Sequence, residues 1–522
     1  MSPSGPIFFI LIVAVVLAAA LAWVIAALYE RRMLALMSGG TAPEPTATAV
    51  AKTRELTTVT PSTSWGTGVN LAANRKATTR LMLYLGGLSL LIAFTQSFLD
   101  LLFIYPNRQF SLNRLLLLSA IYAWPMVLAW GLARRWSWRR ILGYLGIYML
   151  GVLVLVMLRS TAAQSLTTVS VWLFSQVAVP MTIVLLIGAS GRIRAVAPYL
   201  LPPALLLAGS SVLALQFATF SMQEPPPWII SLLSAIGAYP TLLVIALAPW
   251  LVLAWPVFKL GKWLAGAYRD KRFSDLSYLI ATYWFVILFS SALPGMEEVR
   301  WLAFFEIAPW LWIPVFLVVL RGALAPPPGP PTLLVLRVFQ RDAQVELLFD
   351  QVIERWRLTG NTVLIAGTDL LSRTLDPDDL FVYLNGTLAE RFIASPAQVE
   401  ERIAAFDWLP DPDGRYRINE CYCFDSTWQT ALHALVARSD VVLMDLRGFR
   451  AENKGCRHEL GVLAQASHLH RVVVLHDKDT ARAVAESDID PTAAARFHWL
   501  PADRMDHKMA GRVLAALFKT AT

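Results

Sequence analysis

Residues 440–463, DVVLMDLRGFRAENKGCRHELGVL, join a short apolar run to a polar loop and an amphipathic segment. The run at 440–446 is almost continuous Val, Leu and Met, which is typical of a strand covered on both faces of a parallel sheet. From 454 to 467 the apolar residues recur at helical spacing, which predicts a helix. A strand followed directly by a helix is the repeating unit of a doubly wound α/β fold.

The same alternation extends on both sides of this stretch. Strands are predicted at 333–339, 362–366, 416–424, 440–446 and 471–476, and helices at 343–358, 377–393, 396–405, 426–438 and 454–467. Strands that are separated by helices favour a parallel sheet with helices on both faces. The sequence therefore predicts an α/β parallel-sheet domain over residues 333–522.

Upstream of this domain the pattern is different, because long apolar runs recur through the first 320 residues. Nine runs approach the length of about 20 residues that spans a bilayer. They lie at 7–29, 81–104, 115–133, 141–158, 168–190, 198–220, 228–258, 275–292 and 301–320. The seventh run contains Pro240. It could therefore be a short interfacial segment, Trp228–Gly237, followed by the true membrane span. With 56% hydrophobic and 16% charged residues, the chain is not an ordinary soluble enzyme.

The distribution of basic residues predicts the orientation of the chain in the membrane. Loops on one side of the nine runs hold eighteen Lys and Arg residues, and loops on the other side hold four. The positive-inside rule then places the N-terminus outside and everything after Arg321 in the cytoplasm. The net charge of +8 divides into +13 over residues 1–332 and −5 over residues 333–522. The basic excess thus belongs to the membrane loops, and we expect no nucleic-acid partner.

Two polar segments interrupt the sequence, one within the transmembrane domain and one after it. Residues 38–80 are rich in Thr, Ala and Pro without periodicity, which predicts a disordered cytoplasmic loop. Residues 322–332 form a Pro-rich linker between the transmembrane domain, 1–321, and the α/β domain. The three cysteines, Cys421, Cys423 and Cys456, cannot form a disulfide framework.

Ionisable residues inside the apolar runs are few, and the two clearest are Asp100 and Glu306. A charge at membrane depth is a candidate functional group. Glu306 lies close to the outer end of its run, however, and we interpret it as a lone carboxylate that reaches the interface. A transporter, which would need buried charges or broken helices, is therefore not favoured.

The strongest candidate for catalysis is Glu459. It falls three residues after Cys456 and four before Leu463, so it shares their inner stripe of the predicted helix. A carboxylate there is costly unless it has a partner or a task, and the nearby helix N-terminus favours its ionised form. An ionised carboxylate suits cleavage of an N-glycosidic bond, because it stabilises the oxocarbenium-like sugar. The structural alternative is a Glu that caps the first turn or pairs with Arg457 or Arg447.

Polar residues at the carboxyl ends of the predicted strands supply the candidate substrate-binding set, since ligands bind there in open α/β sheets. This set is Arg341, Asp342, Thr368, Asp369, Asp445 and Arg447, with Cys456 on the following helix. Asp445 has an equal alternative as a structural loop residue. Neither GxxxxGK[ST] nor GxGxxG follows a strand, and His468-x-His470 lacks a zinc spacing, so we expect no metal and no bound cofactor.

The order of these motifs resembles a TIR (Toll/interleukin receptor) domain. The residues that carry the resemblance are the LRVF strand, the helix that ends at Arg438-Ser439, the strand 440–446 and Gly455-Cys456-Arg457-His458-Glu459-Leu460. The continuation from Glu459 to Ala464, leading into RVVVLH, is similar to nucleoside 2-deoxyribosyltransferases of the same flavodoxin-like superfamily. The chain departs from the TIR pattern in lacking a serine-rich turn after the first strand and in a longer 369–413 stretch.

The resemblance implies that Glu459 is the catalytic carboxylate and that NAD or a related nucleotide is the substrate. It also implies a homo-oligomeric effector of signalling or antiviral defence, anchored in a bacterial inner membrane. The leading hypothesis is therefore hydrolysis of an N-glycosidic bond. The alternative is a non-catalytic membrane receptor whose TIR-like domain binds a nucleotide or a partner domain.

Overall fold

The computed structural model describes residues 4–38, 65–104, 110–159, 165–188, 191–221, 226–338, 343–367, 377–424 and 426–519. The chain divides into two compact units. A helical unit takes its residues from Met1–Leu28, Leu85–Phe316 and Asp376–Phe381, and a sheet unit takes its residues from Tyr29–Tyr84, Leu317–Leu375 and Val382–Thr522. Each unit is therefore assembled from separate stretches of sequence.

The described residues before Thr332 are mostly helical. The α-helices are Ser4–Ser38, Leu71–Leu99, Leu112–Tyr122, Pro125–Ala133, Trp138–Arg159, Leu166–Gly188, Gly191–Ser221, Pro227–Ile236, Ala238–Arg269, Asp275–Val299, Trp312–Val319 and Arg321–Leu324. Two irregular segments accompany them: a π-helical turn at Asp100–Ile104 and a 3₁₀ segment at Arg300–Leu311.

Eight helical stretches in the described part of the chain are long and apolar enough to cross a membrane. The difference from the nine apolar runs arises at Asp275–Val319, where two runs form one stretch. Its helix ends at Arg300, which has a left-handed φ of 54°, and the 3₁₀ segment packs back on it. Trp310 Nε1, for example, donates to the Ala281 carbonyl at 2.8 Å. The short helix Pro227–Ile236 confirms that the seventh run begins with a separate segment. These helices suggest a membrane protein.

Seven parallel strands form the sheet, and we number them in chain order. They are β1 Thr332–Arg337, β2 Asn361–Ile365, β3 Phe392–Ile393, β4 Ile418–Cys423, β5 Val441–Asp445, β6 Arg471–His476 and β7 Phe497–Pro501. The helical elements among and after them are Ala343–Leu348, the π turn Phe349–Ile353, Glu354–Trp356, Pro377–Leu384, the 3₁₀ turn Leu388–Arg391, Gln398–Ala404, Trp428–Ala437, Lys454–Gln465, Arg482–Ser487, the 3₁₀ turn Ala494–Arg496 and His507–Leu517. The predicted parallel sheet is confirmed.

The strands lie in the order β3-β4-β2-β1-β5-β6-β7. The five strands β2-β1-β5-β6-β7 follow the flavodoxin-like order 2-1-3-4-5, and β4 and β3 extend the β2 edge. With β4 included, the six longer strands follow the order 3-2-1-4-5-6 of dinucleotide-binding sheets. In either description the chain reverses direction across the sheet between β1 and β5, so the crevice for a ligand is expected at their carboxyl ends.

Both faces of the sheet are buried, which explains why the strands are apolar at every position rather than at alternate ones. On β1, Leu334 and Leu336 belong to one core, with Leu460 and Leu463 of the Lys454–Gln465 helix. Leu333 and Val335 belong to the other core. The Lys454–Gln465 helix therefore covers one defined face and begins beside the carboxyl end of β5.

The predicted helix at 377–393 is wrong in its second half. The helix ends at Leu384, and Gly386 follows with a left-handed φ of 77°. Asn385-Gly386 is a helix-ending sequence, because glycine adopts this conformation without steric cost. Phe392–Ile393 then forms β3 beside β4.

The predicted disordered loop at 38–80 is also wrong in part. Residues 39–64 lie outside the described residues. Within 65–80, however, the helix Leu71–Leu99 begins well before 80. The Trp65 ring meets Trp356 edge to face, with ring centroids 6.3 Å apart. Buried aromatic area offsets the entropy of ordering this stretch.

Asn74 fixes the start of the same helix on the sheet unit. Its Nδ2 donates to the Arg355 carbonyl at 2.7 Å and to Thr359 Oγ1 at 3.0 Å. Asn74 is only 3% exposed, so these two bonds satisfy an amide that water does not reach. Composition alone could not show these contacts, because the partners are distant in sequence.

Candidate active site

The candidate site lies where β1 and β5 end side by side. Arg337 is the last residue of β1 and is the direct register partner of Asp445, the last residue of β5. The Lys454–Gln465 helix follows β5 and carries Glu459. The change of chain direction across the sheet thus brings these residues to one end of the sheet, the usual ligand position in this architecture.

Glu459 is 5% exposed and lies on the inner stripe of its helix, as its spacing predicts. Cys456 and Leu463 on the same stripe are also buried in the core. Among the described residues, the Glu459 Oε2 atom is buried without a hydrogen-bond partner. A buried, unsatisfied carboxyl oxygen costs free energy, so it requires an explanation beyond packing.

The structural alternatives for Glu459 are not realised. Arg457 pairs instead with Asp488, through Nε and Nη2 contacts of 2.8 Å each. Arg447 pairs with Asp445, through Nε at 2.8 Å and Nη2 at 2.5 Å. Glu459 is also the sixth residue of its helix, beyond the first turn that a capping side chain serves.

Burial raises the pKa of Glu459 to about 8, although the charge of Arg337 acts in the opposite direction. The neutral carboxylic acid therefore predominates at pH 7. Desolvation by burial therefore opposes the ionised form that the helix N-terminus favours. The helix dipole acts mainly within the first turn, and Glu459 lies beyond it, so desolvation is the larger effect.

Arg337 is a site residue that sequence reasoning missed. It is only 2% exposed, and its guanidinium lies over the Phe349 ring, 6.0 Å from the centroid. Its charge acts on the Glu459 carboxyl. One feature of the sequence could have identified it. Arg337 is a cation inside the apolar run LLVLRVF, at the carboxyl end of a strand, and a buried Arg there requires a partner or a function.

Two further side chains surround this helix turn. Burial, assisted by Glu459, raises the pKa of the Cys456 thiol to about 12, so it is a neutral thiol and not a nucleophile. The His458 ring packs edge to face on Trp428 at 5.5 Å and lies 6.0 Å from His433. The His458 Nε2 atom is buried without a hydrogen-bond partner among the described residues.

The predicted substrate-binding residues fall into two groups. Asp445 and Arg447 lie at the site, but their ion pair occupies both Asp445 oxygens. Arg341, Asp342, Thr368 and Asp369 lie outside the described residues. The described part of the site therefore consists of Glu459, Arg337, Cys456 and the Asp445–Arg447 pair.

Within the described ranges, no group of three or more His, Cys, Asp or Glu residues could hold a metal ion. Comparison with models of known protein families, with curated proteins and with solved structures finds no match to this chain.

Proposed function

We propose that this protein is a membrane-anchored hydrolase of the N-glycosidic bond of NAD or a related nucleotide, with Glu459 as its catalytic carboxyl group. The observation that carries the proposal is the buried Glu459, whose Oε2 lacks a partner at the carboxyl ends of β1 and β5. Perturbed carboxyl groups of this kind are concentrated at functional sites. The resemblance of GCRHEL to TIR hydrolases supports the same assignment.

The reaction needs little beyond this one group. The bond between the ribose C1′ and the nicotinamide nitrogen breaks, and its electron pair leaves with nicotinamide, which becomes neutral. Water then adds to C1′ and gives its proton to Glu459 or to solvent. Because the leaving group in NAD is already cationic, no second acid is required to protonate it. Ionised Glu459 would stabilise the oxocarbenium-like ribose.

The pKa of about 8 shapes this mechanism. A cationic nicotinamide ribosyl group bound beside Glu459 favours the ionised carboxylate, so substrate binding would release the proton that the free protein retains. Since kcat/KM reports the ionisation of the free enzyme, it should rise with pH and level off above about 8.

The test uses the full-length protein in detergent or lipid nanodiscs with NAD as substrate, and it measures nicotinamide release. We expect Glu459→Gln to lower the rate at least about 100-fold, because the amide cannot ionise. Glu452→Gln is the matched control, since Glu452 is an exposed carboxylate on the adjoining loop. Equal rates for wild type and Glu459→Gln would refute the proposal.

The apolar helices bear on the second part of the proposal, the location of the protein in a membrane. We place the N-terminus outside a bacterial inner membrane and the sheet unit in the cytoplasm, where NAD is available, and we expect a homo-oligomer. The charge asymmetry of the loops supports this orientation. A reporter enzyme fused after Thr522 should be active only on the cytoplasmic side, and activity confined to the outer side would overturn the topology.

A non-catalytic nucleotide receptor is the second candidate, and one observation favours it. A neutral Glu459 at pH 7 can donate a hydrogen bond to a ligand without performing chemistry. Saturable binding of NAD without nicotinamide release, in wild type at pH values above 8, would select this candidate over the hydrolase.

A further inference from the structure

Two acidic side chains that are distant in sequence meet inside the helical unit. Asp100 lies at the end of the apolar stretch Leu71–Ile104, and Glu306 lies within Asp275–Val319. Each is only 2% exposed. The sequence-based interpretation of Glu306 as a lone carboxylate at the interface is therefore wrong, because the fold buries it against a second acid.

The Asp100 carboxyl acts directly on the Glu306 carboxyl, and the two turns that carry these residues pack against each other. Ionised carboxylates are acceptors only, so a hydrogen bond between these two groups requires that one of their oxygens carries a proton. If both groups were ionised, two like charges would be held together in an apolar interior, which is strongly unfavourable. A single proton shared between the two groups would remove this repulsion.

A third polar group points toward the pair. Gln96 is 1% exposed and lies one helical turn before Asp100, with its amide close enough to act on the Glu306 carboxyl. Its Nε2 nevertheless lacks a partner in hydrogen-bond geometry among the described residues. This amide donor is thus available to a carboxylate oxygen when the shared proton leaves.

The backbone around the pair is irregular on both sides. Asp100 begins a π-helical turn, and Glu306 lies in a 3₁₀ segment. Gly295 of the neighbouring helix lets them approach, since a Cβ there would lie 3.0 Å from Glu306 Oε1 and 2.8 Å from Ile104 Cγ2. Such irregular turns often mark functional positions within helices.

Other charged groups near the pair lie at the surface. The neighbouring helix Asp275–Val299 contributes Glu297 and Glu298, and the 3₁₀ segment contributes Arg300, all exposed. Ile7 of the first helix packs beside Ala303, and residues 4–28 of that helix contain no ionisable side chain. In the described part of the chain, the polar groups that act on the Glu306 carboxyl are Asp100 and Gln96.

We propose that Asp100, Glu306 and Gln96 form a proton-binding site within the helical unit. In the protonated state one proton joins the two carboxyl groups. When the proton leaves, repulsion between the carboxylates separates the π-helical and 3₁₀ segments, and the Gln96 amide stabilises the charge on Glu306. The site does not depend on the chemistry of the sheet unit.

The experiment is infrared spectroscopy of the full-length protein in lipid nanodiscs, titrated from acid to alkaline pH in light and heavy water. The probe is the proton itself, read from the carbonyl stretching band of protonated carboxyl groups. At neutral pH we expect Glu306→Gln to replace the wild-type band by one of different frequency, because the proton then resides on Asp100 beside an amide. The exposed control Glu298→Gln should retain the wild-type band. In heavy water the wild-type band should shift to lower frequency.

Asp100→Asn provides a second variant if Glu306→Gln does not fold. Replacing the partner carboxyl by an amide should shift the frequency of the Glu306 band, since its hydrogen-bond acceptor has changed. Identical neutral-pH spectra for wild type and the folded variants would overturn the proposal. Loss of the wild-type band on addition of sodium chloride at constant pH would also overturn it, because a metal cation would then be the preferred occupant.

Discussion

The two units each bury a carboxyl group, and they do so in different ways. The charge of a buried cation, Arg337, acts on Glu459 in the sheet unit, and the Glu459 Oε2 atom remains unsatisfied. Glu306 in the helical unit faces a second buried acid, Asp100, which acts on its carboxyl group. A nearby cation favours ionisation, whereas a facing acid favours retention of a proton. Burial favours the protonated form of Glu459, and the charge of Arg337 opposes it only in part. The comparison teaches that the neighbour of a buried acid modifies the effect of burial and does not replace it.

Removal of Arg337 should produce the largest change in the pKa of Glu459 and in the stability of the sheet unit. Arg337→Leu deletes the cation near Glu459, so the pKa of Glu459 should rise above about 8 and kcat/KM should require more alkaline pH. Loss of a buried charge from its network should also cost on the order of 3 kcal/mol of unfolding free energy. The measurements are denaturant unfolding and the pH profile of nicotinamide release. Arg337→Lys is the control, because it retains the charge. An unshifted pH profile of kcat/KM in Arg337→Leu would contradict the assigned role of Arg337.

The second largest effect should be the contribution of Glu459 to the pH dependence of the free energy of unfolding. Its pKa of about 8 in the folded protein exceeds the ordinary value of 4.5, so the folded state binds more protons between these two values. Its contribution to stability is therefore complete below about pH 4.5 and is lost as the pH rises through about 8. In Glu459→Gln the free energy of unfolding should fall less with rising pH, by up to a few kcal/mol. Parallel curves for wild type and Glu459→Gln would mean that Glu459 is not buried in solution.

Gly295→Ala should disturb the acid pair in the helical unit and leave Glu459 unaffected. The added Cβ would meet Ile104 Cγ2 at 2.8 Å and Glu306 Oε1 at 3.0 Å. Such overpacking costs about 1–3 kcal/mol, which thermal unfolding in detergent would detect. Gly146→Ala is the matched control, since nothing lies within 4 Å of a Cβ placed there. Equal destabilisation by both variants would contradict the close approach.

Arg457→Ala should have the smallest effect. Arg457 is adjacent to His458 and Glu459 in sequence, but its guanidinium pairs with Asp488 at the surface. Exposed pairs of this kind contribute little to stability. Nicotinamide release and the unfolding midpoint should therefore match those of wild type, and a large loss of activity would indicate that Arg457 acts in the site after all.

The sequence was informative wherever a residue's neighbours along the chain determine its structure. Continuous apolar runs predicted β1, β2, β5 and β6, and the helical stripe predicted that Glu459 is buried. By contrast, β7 was missed, because FHWLP is short, mixed in polarity and ends in proline. Strand propensity is weak in such a segment, and its pairing with β6 supplies the order.

The contacts between distant residues could not be read from the sequence. No spacing rule connects Asp100 with Glu306, or Arg337 with Glu459, since the tertiary fold brings them together. For the same reason, the sequence could not predict how strongly Glu459 is desolvated. Its desolvation depends on the core that surrounds the helix, whereas the sequence showed only the local helix dipole.

The docking of Trp65 and Asn74 on the sheet unit has a consequence for biosynthesis. A ribosome completes these residues long before their partners Trp356 and Thr359 exist, and it synthesises the apolar helices in the interval. The unit can therefore acquire its full set of contacts only after its last sheet-forming stretch has emerged. A fragment that starts at Leu333 would lack the Trp65 ring and the Asn74 amide, and so would leave Trp356 and Thr359 without these contacts.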